Sequence, residues 1–86
     1  MRNFSSANAS EDIYAKEIAE ATLKIEASPG NPDSYTSRMN IYNKARKYKE
    51  AAGDLAKQCE LTTNDDVREL CLDELAEYRK VRGLLK

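Results

Sequence analysis

With 86 residues, 41% of them apolar and 34% charged, the chain is long enough for one domain and too short for a large core. A domain of this size buries only roughly 60% of the surface its unfolded form exposes. Three Gly, two Pro and no Trp fit a soluble helical protein and exclude a β-sandwich or a disordered chain, while fifteen acids against fourteen bases argue against a general polyanion binder.

Residues 1–9, MRNFSSANA, show no periodic apolar face, and are expected to form a disordered tail with Phe4 docking on the body. Ser10 followed by Glu11 and Asp12 reads as a helix start, since a side-chain oxygen can cap free amides and acids suit the positive end of the helix dipole. Tyr14, Ile18, Thr22 and Ile25 then recur at helical spacing and predict a first helix over about 11–27. Pro29 and Gly30 break it. Asn31 followed by Pro32 is a cap followed by the helical position where a missing amide hydrogen costs nothing, so a second helix is predicted over about 32–45, with Tyr35, Met39 and Tyr42 on its apolar stripe. The third, about 48–61, is anchored by Ala51, Ala52, Leu55, Ala56 and Cys59. The fourth, about 65–84, starts after TTN and carries Val67, Leu70, Cys71, Leu75, Tyr78, Val81 and Leu85 on one face. Linkers of a few residues imply antiparallel neighbours in a single all-α domain over 10–86.

Residues 32–65 have the length of one tetratricopeptide repeat, a helix–turn–helix unit of about 34 residues. They resemble it at Tyr35, Tyr42, Tyr48, Ala51 and Leu55, where the family keeps its aromatics, its close-packed small residue and the large apolar residue that follows. Arg46 stands where the family turns on Gly, Met39 where it places Gly or Ala, Gln58 where it places Ala and Thr63 where it places Pro. The resemblance implies a right-handed helical array, in which residues 14–31 supply the second helix of a preceding repeat and the last helix caps the array with one polar face. A second likeness, carried by Glu77, Tyr78, Leu85 and Lys86, is to the last two helices of the MIT domain, a three-helix bundle that binds helical peptides of membrane-remodelling complexes.

Catalytic chemistry finds little support. His is absent, Gly30, Gly53 and Gly83 are isolated, and the carboxylate pairs Asp65–Asp66 and Asp73–Glu74 lie at a helix start or on a polar face, where solvated charge is the ordinary reading. No enzyme activity, metal or cofactor is expected. Cys59 and Cys71 lack the His or CxxC partner of a structural zinc site. If the last two helices fold back near residue 63, the two thiols are separated by an axial offset of roughly 6 Å and an interaxial gap of about 8–10 Å. Bridged cysteines have Cα atoms within about 7 Å, so free core thiols are expected. The first ten residues lack the apolar core of a secretory leader and no apolar run reaches the roughly 20 residues of a membrane span. A reducing, cytoplasmic setting without direct membrane insertion is the expectation.

The repeat resemblance implies a protein-recognition scaffold. Its ligand face would be Asp33, Thr36, Ser37, Asn40, Asn43 and Lys44, which point away from the Tyr35–Met39–Tyr42 stripe, and a peptide or helix of a protein partner would dock there. The competing reading is a nucleic-acid patch at Arg38, Lys44, Arg46, Lys47 and Lys49, since no acid lies between Asp33 and Glu50. Packing already claims Tyr35, Tyr42 and Tyr48, the tyrosines that would stack on bases, which makes nucleic acid the weaker candidate. A homo-oligomer that completes the array is the third possibility.

Overall fold

The computed structural model describes residues 6–84, with side chains from residue 13. It is all-helical: α1 Ser6–Ala27, α2 Pro32–Lys44, α3 Tyr48–Leu61 and α4 Asp65–Val81, with no strand among the described residues. Helix α1 begins at Ser6, because SANAS holds neither Gly nor Pro to stop it, so Ser10 lies within the helix rather than before it. Of the residues expected in the tail, 6–9 belong to α1; residues 1–5, Phe4 included, lie outside the described part, as does Leu85.

Caps set the other boundaries. The Asp33 amide donates to Asn31 Oδ1 at 3.0 Å, with Pro32 opening α2, and the Val67 amide donates to Asn64 Oδ1 at 3.0 Å at the start of α4. Helices α2 and α4 end in the same hydrogen-bonded turn. In α2 the Lys47 amide donates to Tyr42 O at 2.8 Å and the Arg46 amide to Asn43 O at 3.1 Å, with Arg46 at φ 62°. In α4 the Leu84 amide donates to Arg79 O at 2.8 Å and the Gly83 amide to Lys80 O at 3.2 Å, with Gly83 at φ 71°. Both are Schellman closures, in which a left-handed residue turns the chain back over the last carbonyls. Helix α4 therefore stops at Val81, short of residue 84, and Leu84 folds back against the core.

Each helix packs on its sequence neighbours, α1 on α2, α2 on α3 and α3 on α4, the largest interface being that of α2 with α3. The result is a slab of 54 × 33 × 15 Å with a radius of gyration of 14.5 Å, against about 12 Å for a compact chain of this length. One core joins Ala52, Leu55 and Cys59 of α3 to Cys71 and Leu75 of α4, with Met39, Ala56, Tyr78 and Leu84 packed on its edge. Ala21 and Ile25 of α1, Tyr35 of α2, Ala45 at its C-cap and Ala51 of α3 are buried outside that cluster.

Two sequence expectations are corrected here. Cys59 and Cys71 form a disulfide with Cα atoms 5.5 Å apart. A regular interaxial gap would hold the two thiols apart, whereas at these two small residues the α3 and α4 backbones come within bridging distance. The apolar face of α4 is also narrower than predicted: Cys71 and Leu75 are buried and Tyr78 is half-buried, while Val67, Leu70 and Val81 are exposed. At 100° per residue those seven positions spread over too wide an arc for one neighbouring helix to cover.

Candidate protein-docking surface

Helix α2 carries all six residues of the predicted ligand face, and its helical spacing separates them into two groups. Asp33, Ser37, Asn40 and Lys44, spaced i, i+4, i+7 and i+11, are all exposed and share one stripe. Thr36 and Asn43 flank that stripe and are half-buried. The Thr36 hydroxyl lies 2.7 Å from Gln58 Oε1 of α3, to which it donates, and Asn43 Oδ1 accepts a hydrogen bond from the Tyr78 hydroxyl of α4. These two are fastenings between helices rather than free recognition groups.

The opposite flank of α2 is fixed by Arg38. Its Nε donates to Asp54 Oδ2 at 2.9 Å, its Nη2 to Asp54 Oδ1 at 2.7 Å, and its Nη1 to Thr22 Oγ1 at 3.2 Å. One guanidinium thus ties α1, α2 and α3 together through a bidentate pair, the strong geometry for this partnership. Asp54 is only 4% exposed. The hydrogen bond to Asp54 raises the Arg38 pKa above its ordinary value, against the opposing effect of burial. Arg38 also lies 5.4 Å from the centroid of the Tyr42 ring. It is therefore withdrawn from the basic patch in which the sequence grouped it.

The rest of that patch sits at the α2–α3 elbow. Lys44, Arg46 and Lys49 are exposed and Lys47 is half-buried. Tyr48, at the start of α3, is covered by Arg82, the C-cap residue of α4, whose guanidinium carbon lies 4.2 Å from the ring centroid and 5.7 Å from that of Tyr78. Burial raises the Tyr78 pKa above the ordinary tyrosine value, with nearby Arg82 opposing. The aromatic rings near the elbow are thus engaged by arginine, and Tyr35 is buried with its hydroxyl donating to Pro29 O at 3.1 Å.

Asp54, Gln58 and Tyr78 were not singled out by sequence as partners of the α2 residues, nor was Arg82 as the cover of Tyr48. Asp54 did carry a signal, because it lies three residues after Ala51 on the border of the apolar face of α3, where an acid needs a cation. The Tyr78–Asn43 bond had none, since it spans 35 residues of sequence. Among the described residues no cluster of His, Cys, Asp and Glu is arranged to hold a metal ion, and no helix is long and apolar enough to cross a membrane. No protein-family model, curated protein or solved structure matches this chain.

Proposed function

We propose that this chain is a non-enzymatic protein-interaction module, tetratricopeptide-like in build, that receives a peptide or helix of a partner protein along α2. The observation that carries the reading is the exposed stripe Asp33, Ser37, Asn40 and Lys44 on a helix braced on both flanks. Eleven residues of helix give the stripe a length of about 16 Å, enough for several residues of an extended peptide. Stacking on sequence neighbours supports a repeat-type array, because a solenoid is built from nearest-neighbour contacts alone. The left-handed conformation at Arg46, where such repeats turn on Gly, supports it as well. Bracing matters for affinity, since a preorganised surface loses less freedom on binding.

The test is selection from a displayed peptide library, followed by calorimetric titration of a selected synthetic peptide into the whole protein. Asn40→Ala/Lys44→Ala is expected to weaken binding by about tenfold or more, equivalent to about 1.4 kcal/mol, with unchanged helicity. Equal affinity of the double variant would remove α2 as the docking surface.

A further inference from the structure

Helix α4 presents a second face that the α2 stripe does not use. Asp66, Val67, Leu70, Glu74, Glu77 and Val81 fall within a single arc of the helix at 100° per residue, and all six are exposed. Val67, Leu70 and Val81 are 52%, 69% and 65% exposed. The helix's own cations lie outside that arc: Arg68 reaches Thr62 O and Asp65, Arg79 is half-buried, and exposed Lys80 borders the arc on the side of Glu77, while Arg82, just past the helix, stacks on Tyr48. The flank is thus three apolar side chains interleaved with three carboxylates and no base.

We infer that this flank of α4 is a docking surface for a basic amphipathic helix of a partner protein. Apolar side chains along one edge of a helix are the footprint of helix-on-helix recognition. Carboxylates between them select Lys or Arg on the incoming helix and repel acidic ones. The distance from Val67 to Val81 corresponds to about 21 Å of helix, which suits a partner of about four turns. Anionic lipid headgroups are disfavoured by the same carboxylates.

A second copy of this chain fits less well. An antiparallel α4–α4 pairing related by a two-fold axis through the flank's midpoint brings Val67 against Val81 but sets Glu74 against Glu74 at its centre and leaves the carboxylates of both flanks without a cation. The outer face of α1 offers exposed Ile13 and Leu23, but around them Glu17, Glu20 and Glu26 outnumber Lys16 and Lys24, repeating the sign of the α4 flank. Among the described residues the exposed large apolar side chains lie on α1 and α4, and none belongs to the α2–α3 elbow segment that carries the bases.

The test uses the full chain and a fluorescent helical peptide of about 16 residues, with Leu on one face and Lys and Arg beside it. Its comparators are the same peptide with Glu for every base, and a scramble of equal composition. Anisotropy is expected to show saturable binding of the basic peptide, with the Glu peptide and the scramble each weaker by about tenfold or more. E74K/E77K should invert the charge preference and L70D should abolish binding, while Asn40→Ala/Lys44→Ala leaves it unchanged; circular dichroism checks that each variant is folded. Equal binding of the scramble, indifference to E74K/E77K or L70D, or loss of binding in the α2 variant would overturn the assignment. So would a concentration-dependent dimer in light scattering that L70D dissolves, because a second copy would then be the occupant.

Discussion

Arg38 and Asp54 show how one pair of side chains can hold three helices in place. Asp54 is nearly inaccessible and Arg38 keeps about a fifth of its side chain in contact with water, so the two halves of the pair are unequal. Removing the arginine leaves a buried carboxylate with no cation, a loss that typically reaches about 3–5 kcal/mol. Removing the carboxylate frees a guanidinium that can turn toward solvent. Arg38→Met is therefore expected to destabilise the fold by about 3 kcal/mol and Asp54→Asn by clearly less, as read from urea midpoints; equal losses would contradict the asymmetry. The disulfide acts at the same scale. Cys59 and Cys71 are separated by 12 positions, and closing a loop of that order restricts the unfolded chain by about 3 kcal/mol. In a domain this small each kcal/mol moves the midpoint by about 4–8 °C, so a reductant should lower the thermal midpoint by about 10 °C or more. An unchanged midpoint would count against the bridge. The bridge also points away from the reducing setting expected from sequence, since such bonds persist chiefly in oxidising compartments.

The starts of α2 and α4 were legible because capping chemistry is local, whereas the start of α1, expected at Ser10, and the end of α4, expected near residue 84, were not. Asn31–Pro32 and Asn64 each announced a start from two or three adjacent residues, and the structure realises both. The ends of α2 and α4 invite comparison, since the same turn is made by Arg46 in one and Gly83 in the other. An L-residue in the left-handed region is disfavoured by about 1–2 kcal/mol, a penalty Gly avoids. Arg46→Gly is expected to stabilise the protein by up to about 1 kcal/mol, the gain being trimmed by glycine's larger unfolded-state entropy. A fall in the denaturation midpoint would show that Arg46 makes a stabilising contact of its own. What sequence did not disclose was which face of α4 is buried, because its apolar residues span more arc than one neighbour covers and only the packing chooses among them. Tyr78 belongs to the chosen stripe. Its pKa is raised by burial, so its neutral form is favoured in the fold. Its contribution is complete below the ordinary tyrosine pKa of about 10 and is lost as pH rises through the higher folded value. The stability difference between wild type and Tyr78→Phe should therefore shrink above that range; a difference independent of pH would remove the hydroxyl as its source.

At the scale of the whole molecule, the arrangement follows from where the apolar residues are spent. Among the described residues each helix packs only on its sequence neighbours, so the chain lengthens into a slab instead of closing on itself. Helical class and element order were readable from periodicity, which is a one-dimensional signal. The shape was not, because it depends on which helices meet. The same elongation leaves both candidate faces uncovered, the polar stripe of α2 and the apolar–acidic flank of α4, each of which a tighter bundle would have partly buried. Small-angle scattering of the monomer distinguishes these shapes. A compact chain of this length with a radius of gyration near 12 Å would span roughly 30 Å, whereas the slab is 54 Å along its longest axis. The expected result is a skewed distance distribution extending to at least that length, retained at high salt because neighbour-to-neighbour apolar packing, rather than exposed charge, maintains the array. A symmetric distribution ending near 30 Å would mean that α1 folds back over α3 or α4 instead of extending the array.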